Sequence, residues 1–226
     1  MLPVFLQTDV LETEYFDCLS ALYGYVIDGV HHTAKERHAD PRVFDTTIAA
    51  VTLAWIGFCI HDACHVLKDD LHTAHPLVRF QGGEYRPVQQ RAWEFLCEYR
   101  DSVEFYTRRD MTALQPYVQS VYLLRTNRSM QLNPTAIRAA ICRNIPQKEK
   151  HVTYDSVYWS GVFFRAFVFE RERGDIKYPK RGDATERKNF VEITRALLGE
   201  HDTEKEYDLY SRYRQFCAYK RHFHCR

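Results

Sequence analysis

The sequence predicts an all-α protein, a single helical domain of about eight helices around a buried central one. Three observations predict it. Helix-opening signals recur: Asp9 with Glu12 and Thr203 with Glu206 form capping boxes, and Asp40-Pro41 and Asn133-Pro134 set a cap residue before a proline. Strand-like alternation is weak nearly everywhere. The most apolar run, TIAAVTLAWIGFCI at 47–60, is fourteen uncharged residues long, and the helix holding it is apolar almost all round.

The elements follow in order. The Asp9 box opens a helix through about Arg37, and Asp40-Pro41 starts the central helix, which spans about 43–70 and ends near Leu71. Gly82-Gly83 breaks the chain, and Pro87 opens a helix to about Arg108. Asp110 starts another through about Leu124. Asn133-Pro134 caps a short helix to Arg143. Thr153 caps a helix over 154–172, where the aromatic and β-branched residues of VYWSGVFFRAFVFE would also suit a strand. Asp183 caps a helix to Gly199, and the last, about 203–224, reaches the C-terminus as a possible appendage to the single domain 1–226. No internal repeat, low-complexity tract or clear linker interrupts the chain.

Composition narrows the class. The chain has 226 residues, 45% hydrophobic, enough for one ordinary core. A net charge of +1 gives no electrostatic argument for DNA or an anionic membrane. The fourteen-residue apolar run is shorter than the roughly 20 residues that cross a bilayer, and MLPVFLQTDVLETE lacks the basic start of a signal peptide. Seven cysteines, an odd number without a CxxC pair, read as reduced thiols in a cytoplasmic protein and not as a zinc ribbon.

The candidate site lies where the apolar run stops, in IHDACHVLKDDLH at 60–72. On a continuing helix His65 falls one turn after His61, on the same face. An ionised carboxylate at a core boundary costs several kcal/mol unless it is paired or ligates a metal. A divalent cation would remove that cost for His61 and Asp62 together, and would bring a bound water's pKa toward about 7. Opposed to this is the plainer reading of a hydrogen-bonded or solvated His-Asp pair at a helix end, with His72 and His75 in a loop.

His61-Asp62 after an apolar helix resembles the signature dipeptide of the HD-domain metal-dependent phosphohydrolases. HDACHVLKDDL is similar to the HD segment of bacterial 5'-deoxynucleotidases, where H-D-A, V-L and D-L recur at the same offsets. The resemblance covers residues 60–71. It implies an all-helical hydrolase of phosphate esters, often of nucleotides, that binds a divalent metal through a first His, the His-Asp pair and a later Asp. His61 and Asp62 would then be ligands. His65 would take the slot of a catalytic residue beside the metal, and Asp70 would match a further acidic residue of the motif. The first ligand would be His31, His32 or His38. If 41–60 is one helix about 30 Å long, His38 lies at its far end. The distal acid would be Asp155, with Asp101 and Asp110 as alternatives; against Asp155, a carboxylate in a helix's first turn is what the helix dipole favours anyway.

A second reading rests on EKEYDLYSRYRQFCAYKRHFHCR. Tyr207, Tyr210, Tyr213, Phe216 and Tyr219 are spaced by three, with Arg212, Arg214, Lys220 and Arg221 interleaved. Such a helix could contact RNA or DNA by stacking and phosphate pairing, or its stripe could dock on the core. RNIPQKEKH at 143–151 is similar to the Arg-to-His signature of HEPN-family helical ribonucleases, but seven residues including Pro146 separate Arg143 from His151, so the spacing fails. Lys177, Lys180 and Arg181 could touch a phosphate or form a solvated loop. No GxSxG, HExxH or glycine-rich phosphate loop is present. The leading expectation is therefore a metal-dependent phosphohydrolase of a small phosphorylated substrate. The alternative is a helical module for nucleic acid or protein.

Overall fold

The computed structural model describes residues 15–36, 41–80, 83–106, 114–147, 150–172, 188, 190–192 and 206–224. They are mostly helical, as the sequence predicts. Helix α1 (Leu19–Glu36) buries Leu19, Leu22, Tyr23, Val26 and Val30, the three-to-four spacing of one helical face. A 3-10 turn (Pro41–Phe44) leads into α2 (Asp45–Ile56), the central helix, in which every residue from Thr47 to Ile56 is buried. Its polar groups are satisfied inside the core. The Thr52 hydroxyl donates to Ile48 O at 2.8 Å, Asn144 Nδ2 donates to Thr47 Oγ1 at 2.7 Å, and Trp55 Nε1 donates to Gln89 Oε1 at 2.8 Å.

The central helix is shorter than the predicted 43–70. Gly57 takes a left-handed φ of 105°; its N–H reaches Ala54 O and the Phe58 N–H reaches Leu53 O. That double bond pattern is a Schellman stop. The Arg165 guanidinium lies over it, donating to Ile56 O, and a Cβ on residue 57 would sit 2.8 Å from Arg165 Nη1. The Tyr154 hydroxyl holds Phe58 O at 2.9 Å. The chain therefore turns before it restarts as a single helical turn, α3 (Ile60–Ala63), followed by a second 3-10 turn (Lys68–Asp70).

Two antiparallel hairpins replace predicted helix and loop. Strands β1 (Leu77–Arg79) and β2 (Tyr85–Pro87) pair Val78 with Arg86 across a turn in which Gly83, φ 85°, donates to Phe80 O. Helix α4 (Gln90–Asp101) is shorter than the predicted 87–108. The helix predicted over 110–124 is corrected: β3 (Glu104–Tyr106) pairs with β4 (Leu114–Pro116), and 117–124 is not helical. Pro116 falls inside that predicted helix, where a proline costs about 3 kcal/mol, and the Leu123 N–H bonds instead to Val66 O at 2.8 Å.

Helices α5 (Pro134–Asn144), with Asn133 Oδ1 accepting from the Ala136 N–H, and α6 (Tyr154–Glu172) lie where the sequence places them. Helix α6 crosses α2 at Gly161, whose missing side chain admits the Trp55 carbonyl. Beyond the crossing α6 enters a second apolar cluster with Phe163, Phe167, Phe190, Phe216 and Tyr219, against which α7 (Glu206–His224) docks. The Asp9–Glu12 box, His38, Asp110, Lys177, Lys180, Arg181 and most of the predicted helix 183–199 lie outside the described residues. No helix among the described residues is long and apolar enough to cross a membrane.

Candidate functional site

The Gly57 stop re-aims the chain so that α3 carries His61 and Asp62 out of the core. Ile60 and Ala63 face inward, His61 is exposed and Asp62 is half-buried. His65 then donates its backbone N–H to Asp62 O at 2.9 Å and sets Nδ1 2.8 Å from His61 O. A carbonyl only accepts, so Nδ1 carries the proton and the neutral ring keeps its lone pair on Nε2.

Residues 66–70 form the next wall. Val66 and Lys68 bond to the backbone of Leu123 and Val121, which holds this stretch extended. Asp70 then closes the turn on itself: its Oδ2 accepts the Leu67 N–H at 2.7 Å, and its Oδ1 stands 3.1 Å from Arg79 Nε on β1. That Nε is buried and off-line for a hydrogen bond, so the contact is an ion pair only. Arg79 Nη2 donates to Asp69 O at 3.0 Å and the guanidinium lies over the Tyr85 ring.

The result is a pocket of about 310 Å³ in which Asp62, His65, Asp70 and Arg79 surround an apolar floor, the rings of Phe58 and Phe80 stacked at 4.2 Å. Asp70 and Arg79 offset each other in charge, and the other carboxylate on the walls is Asp62. Beside it, burial pushes the Cys59 thiol up to about 11, and the Asp62 carboxylate works in the same direction. Cys59 is therefore a neutral thiol at pH 7 and not a nucleophile.

The structure thus brings Asp62, His65 and Asp70 to one concavity, while His61, His31, His32, Asp155 and Asp101 lie elsewhere. His61 does not line the pocket. His31 and His32 are exposed on α1, His32 paired with Glu36 at 3.5 Å. Asp155 is exposed in the first turn of α6, and Asp101 is held by Arg100 at 2.7 Å. Among the described residues no three His, Cys, Asp or Glu side chains gather as a metal's ligands would. Among the described residues this pocket offers too few donors to hold a metal on protein ligands alone; Mg²⁺ is commonly held by one or two carboxylates plus substrate oxygens.

Sequence reasoning missed Arg79 and the Phe58–Phe80 floor. The signal for Arg79 is LVRFQGGEYRP, two short runs around a glycine pair, which is a hairpin pattern as well as a break. Among the described residues, Tyr213, Phe216 and Tyr219 of the α7 stripe dock on the second apolar cluster. Phe216 and Tyr219 are buried, and the Tyr219 hydroxyl donates to Phe16 O and Asp17 O. Lys220 is 2% exposed and paired with Glu170 at 2.6 Å, and Arg212 stacks over Trp159. Arg214 and Arg221 alone of the four cations are exposed, so no continuous basic face forms from them. No protein-family model and no curated protein matches the chain.

Proposed function

We propose that the protein hydrolyses a small phosphomonoester, a nucleotide or similar molecule, presented as its divalent-metal complex, in the pocket of Asp62, His65 and Arg79. The observation that carries the reading is the meeting of these three groups over an apolar floor at the end of the most buried helix. The pocket is at the lower end of the size range of ligand sites, which suits a small ligand. Asp62 would hold the cation, which would neutralise phosphate charge and acidify a bound water.

The chain's own groups have separable tasks. Arg79, fixed from behind by Asp70 and Asp69 O, binds phosphoryl oxygens with the in-plane N–H groups those contacts leave open. His65 Nε2 takes the proton from the attacking water. The new oxygen–phosphorus bond forms as the ester bond to phosphorus breaks, and the departing oxygen is protonated by solvent. The apolar floor packs against the organic part of the substrate.

The test is phosphate release from a panel of nucleoside monophosphates and p-nitrophenyl phosphate with added magnesium, manganese or zinc. The parent is expected to turn over at least one substrate. His65→Ala is expected to lose about 10²- to 10⁴-fold, the usual worth of a positioned acid–base group. His61→Ala, outside the pocket, should keep the parent rate. Absence of release from every substrate contradicts the reading, as does a His65→Ala variant as active as the parent or a His61→Ala loss as large as that of His65→Ala.

A further inference from the structure

On the other side of the Lys68–Asp70 turn lies a larger cleft of about 620 Å³, walled by Lys68, Asp69, His72, Tyr85, Arg100 and Asp101 among others. It shares no wall residue with the first pocket. Successive residues are divided between the two: Leu67 and Asp70 line one, Lys68 and Asp69 the other.

The charges of this cleft are arranged differently. Arg100 and Asp101 are locked together by two hydrogen bonds of 2.7 and 2.8 Å, so they cancel. Behind the wall sits Arg125, buried and hydrogen-bonded to carbonyls; among the described residues it has no ion pair, and the Asp101 carboxylate acts on it only through space. Lys68 is half-buried, and among the described residues its ammonium has neither a hydrogen bond nor an ion pair. Burial and, after it, the Arg125 charge lower its pKa. Asp69 and Asp101 act on it only through space, in the opposite direction.

His72 adds a directed donor. Its Nδ1 accepts the N–H groups of Ala74 and His75 at 3.1 and 3.2 Å, so in the neutral ring the only N–H is on Nε2. Its carbonyl accepts the Trp93 Nε1–H and its own N–H donates to Leu77 O, which fixes the residue in place.

We propose that this cleft is a second ligand site, taking an oxyanion, a phosphate or carboxylate group, on the Lys68 ammonium and the His72 Nε2–H. An anion there supplies the partner that Lys68 lacks and balances the buried Arg125 charge. The proposal is independent of the hydrolytic reading, because its residues and its charge preference differ from those of the first pocket.

Calorimetric titration of the full chain with inorganic phosphate, and separately with acetate, tests it, in buffer freed of divalent metal over a chelating resin so that no metal–phosphate complex forms. Phosphate is expected to bind the parent and to bind Lys68→Gln at least about tenfold more weakly. Acetate matching phosphate in affinity assigns a carboxylate ligand; acetate binding more weakly assigns a phosphorylated one. Parent-like phosphate binding by Lys68→Gln overturns the proposal, and so does a parent that binds neither anion. Unchanged thermal melting of Lys68→Gln, expected for a side chain with no partner to lose, shows that a weakened affinity is not a folding defect.

Discussion

Arg125→Met is expected to destabilise the protein by about 3–5 kcal/mol. The guanidinium donates to Leu123 O at 3.0 Å, Arg100 O at 3.0 Å and Ser102 O at 2.7 Å, and it lies between the rings of Tyr99 and Tyr117. Methionine fills the space between the rings and donates nothing. Each orphaned buried acceptor costs about 1–3 kcal/mol, and the cation–π contacts add to the loss. Two of these carbonyls belong to the end of α4, so the same change frays the helix terminus that carries Arg100 and Asp101 into the cleft. Urea unfolding measures the effect; a change under about 1 kcal/mol would mean that water replaces the guanidinium at those carbonyls.

Gly161→Ala is expected to cost about 2–3 kcal/mol although alanine is the better helix former. A Cβ at 161 would lie 2.7 Å from the Trp55 carbonyl carbon and closer still to its oxygen. Both atoms belong to the backbone of α2, so no rotamer change relieves the overlap and the two helices must move apart. Helix propensity returns about 1 kcal/mol, whereas overpacking a core commonly costs 1–3 and here falls at or above the top of that range. Thermal melting should fall by about 4–12 °C at 2–4 °C per kcal/mol for a chain of this size. An unchanged melting temperature would contradict the close crossing.

The sequence made the helices legible where local signals agreed. Asn133-Pro134 opened α5 as expected, and Tyr154–Glu172 is helical although its aromatic and β-branched content suits a strand. There tertiary context decided: Gly161 admits α2, and the rings beyond it, Phe163 and Phe167, supply the second cluster that α7 covers. The central run was legible as buried but not in length. Gly57 sits inside WIGFC with apolar neighbours on both sides, so its role as a stop shows only in its positive φ and in Arg165, a residue 108 positions later, lying against it. That stop also defeats the expectation that His61 and His65 share a helical face, since α3 ends at Ala63.

The candidate site was half legible. Asp62, His65 and Asp70 drew attention because charge followed an apolar run, and they do line one pocket. Arg79 arrives through the β1–β2 hairpin, and nothing local to residues 60–72 announces it. Lys68 is illegible in the sequence for a similar reason. Its significance lies in Arg125, which reaches the back of the same cleft from a distant, irregular segment whose path no periodicity encodes.

Whether residue 65 is the proton acceptor of a phosphate-ester hydrolysis is read most directly from the rate of phosphate release by His65→Ala with and without added imidazole. Free imidazole, occupying the space of the deleted ring, is expected to restore a saturable part of the lost rate, and to do so with a pH dependence that follows its own titration. A variant that imidazole leaves inactive while the parent turns over, or one that needs no imidazole at all, would contradict the assignment.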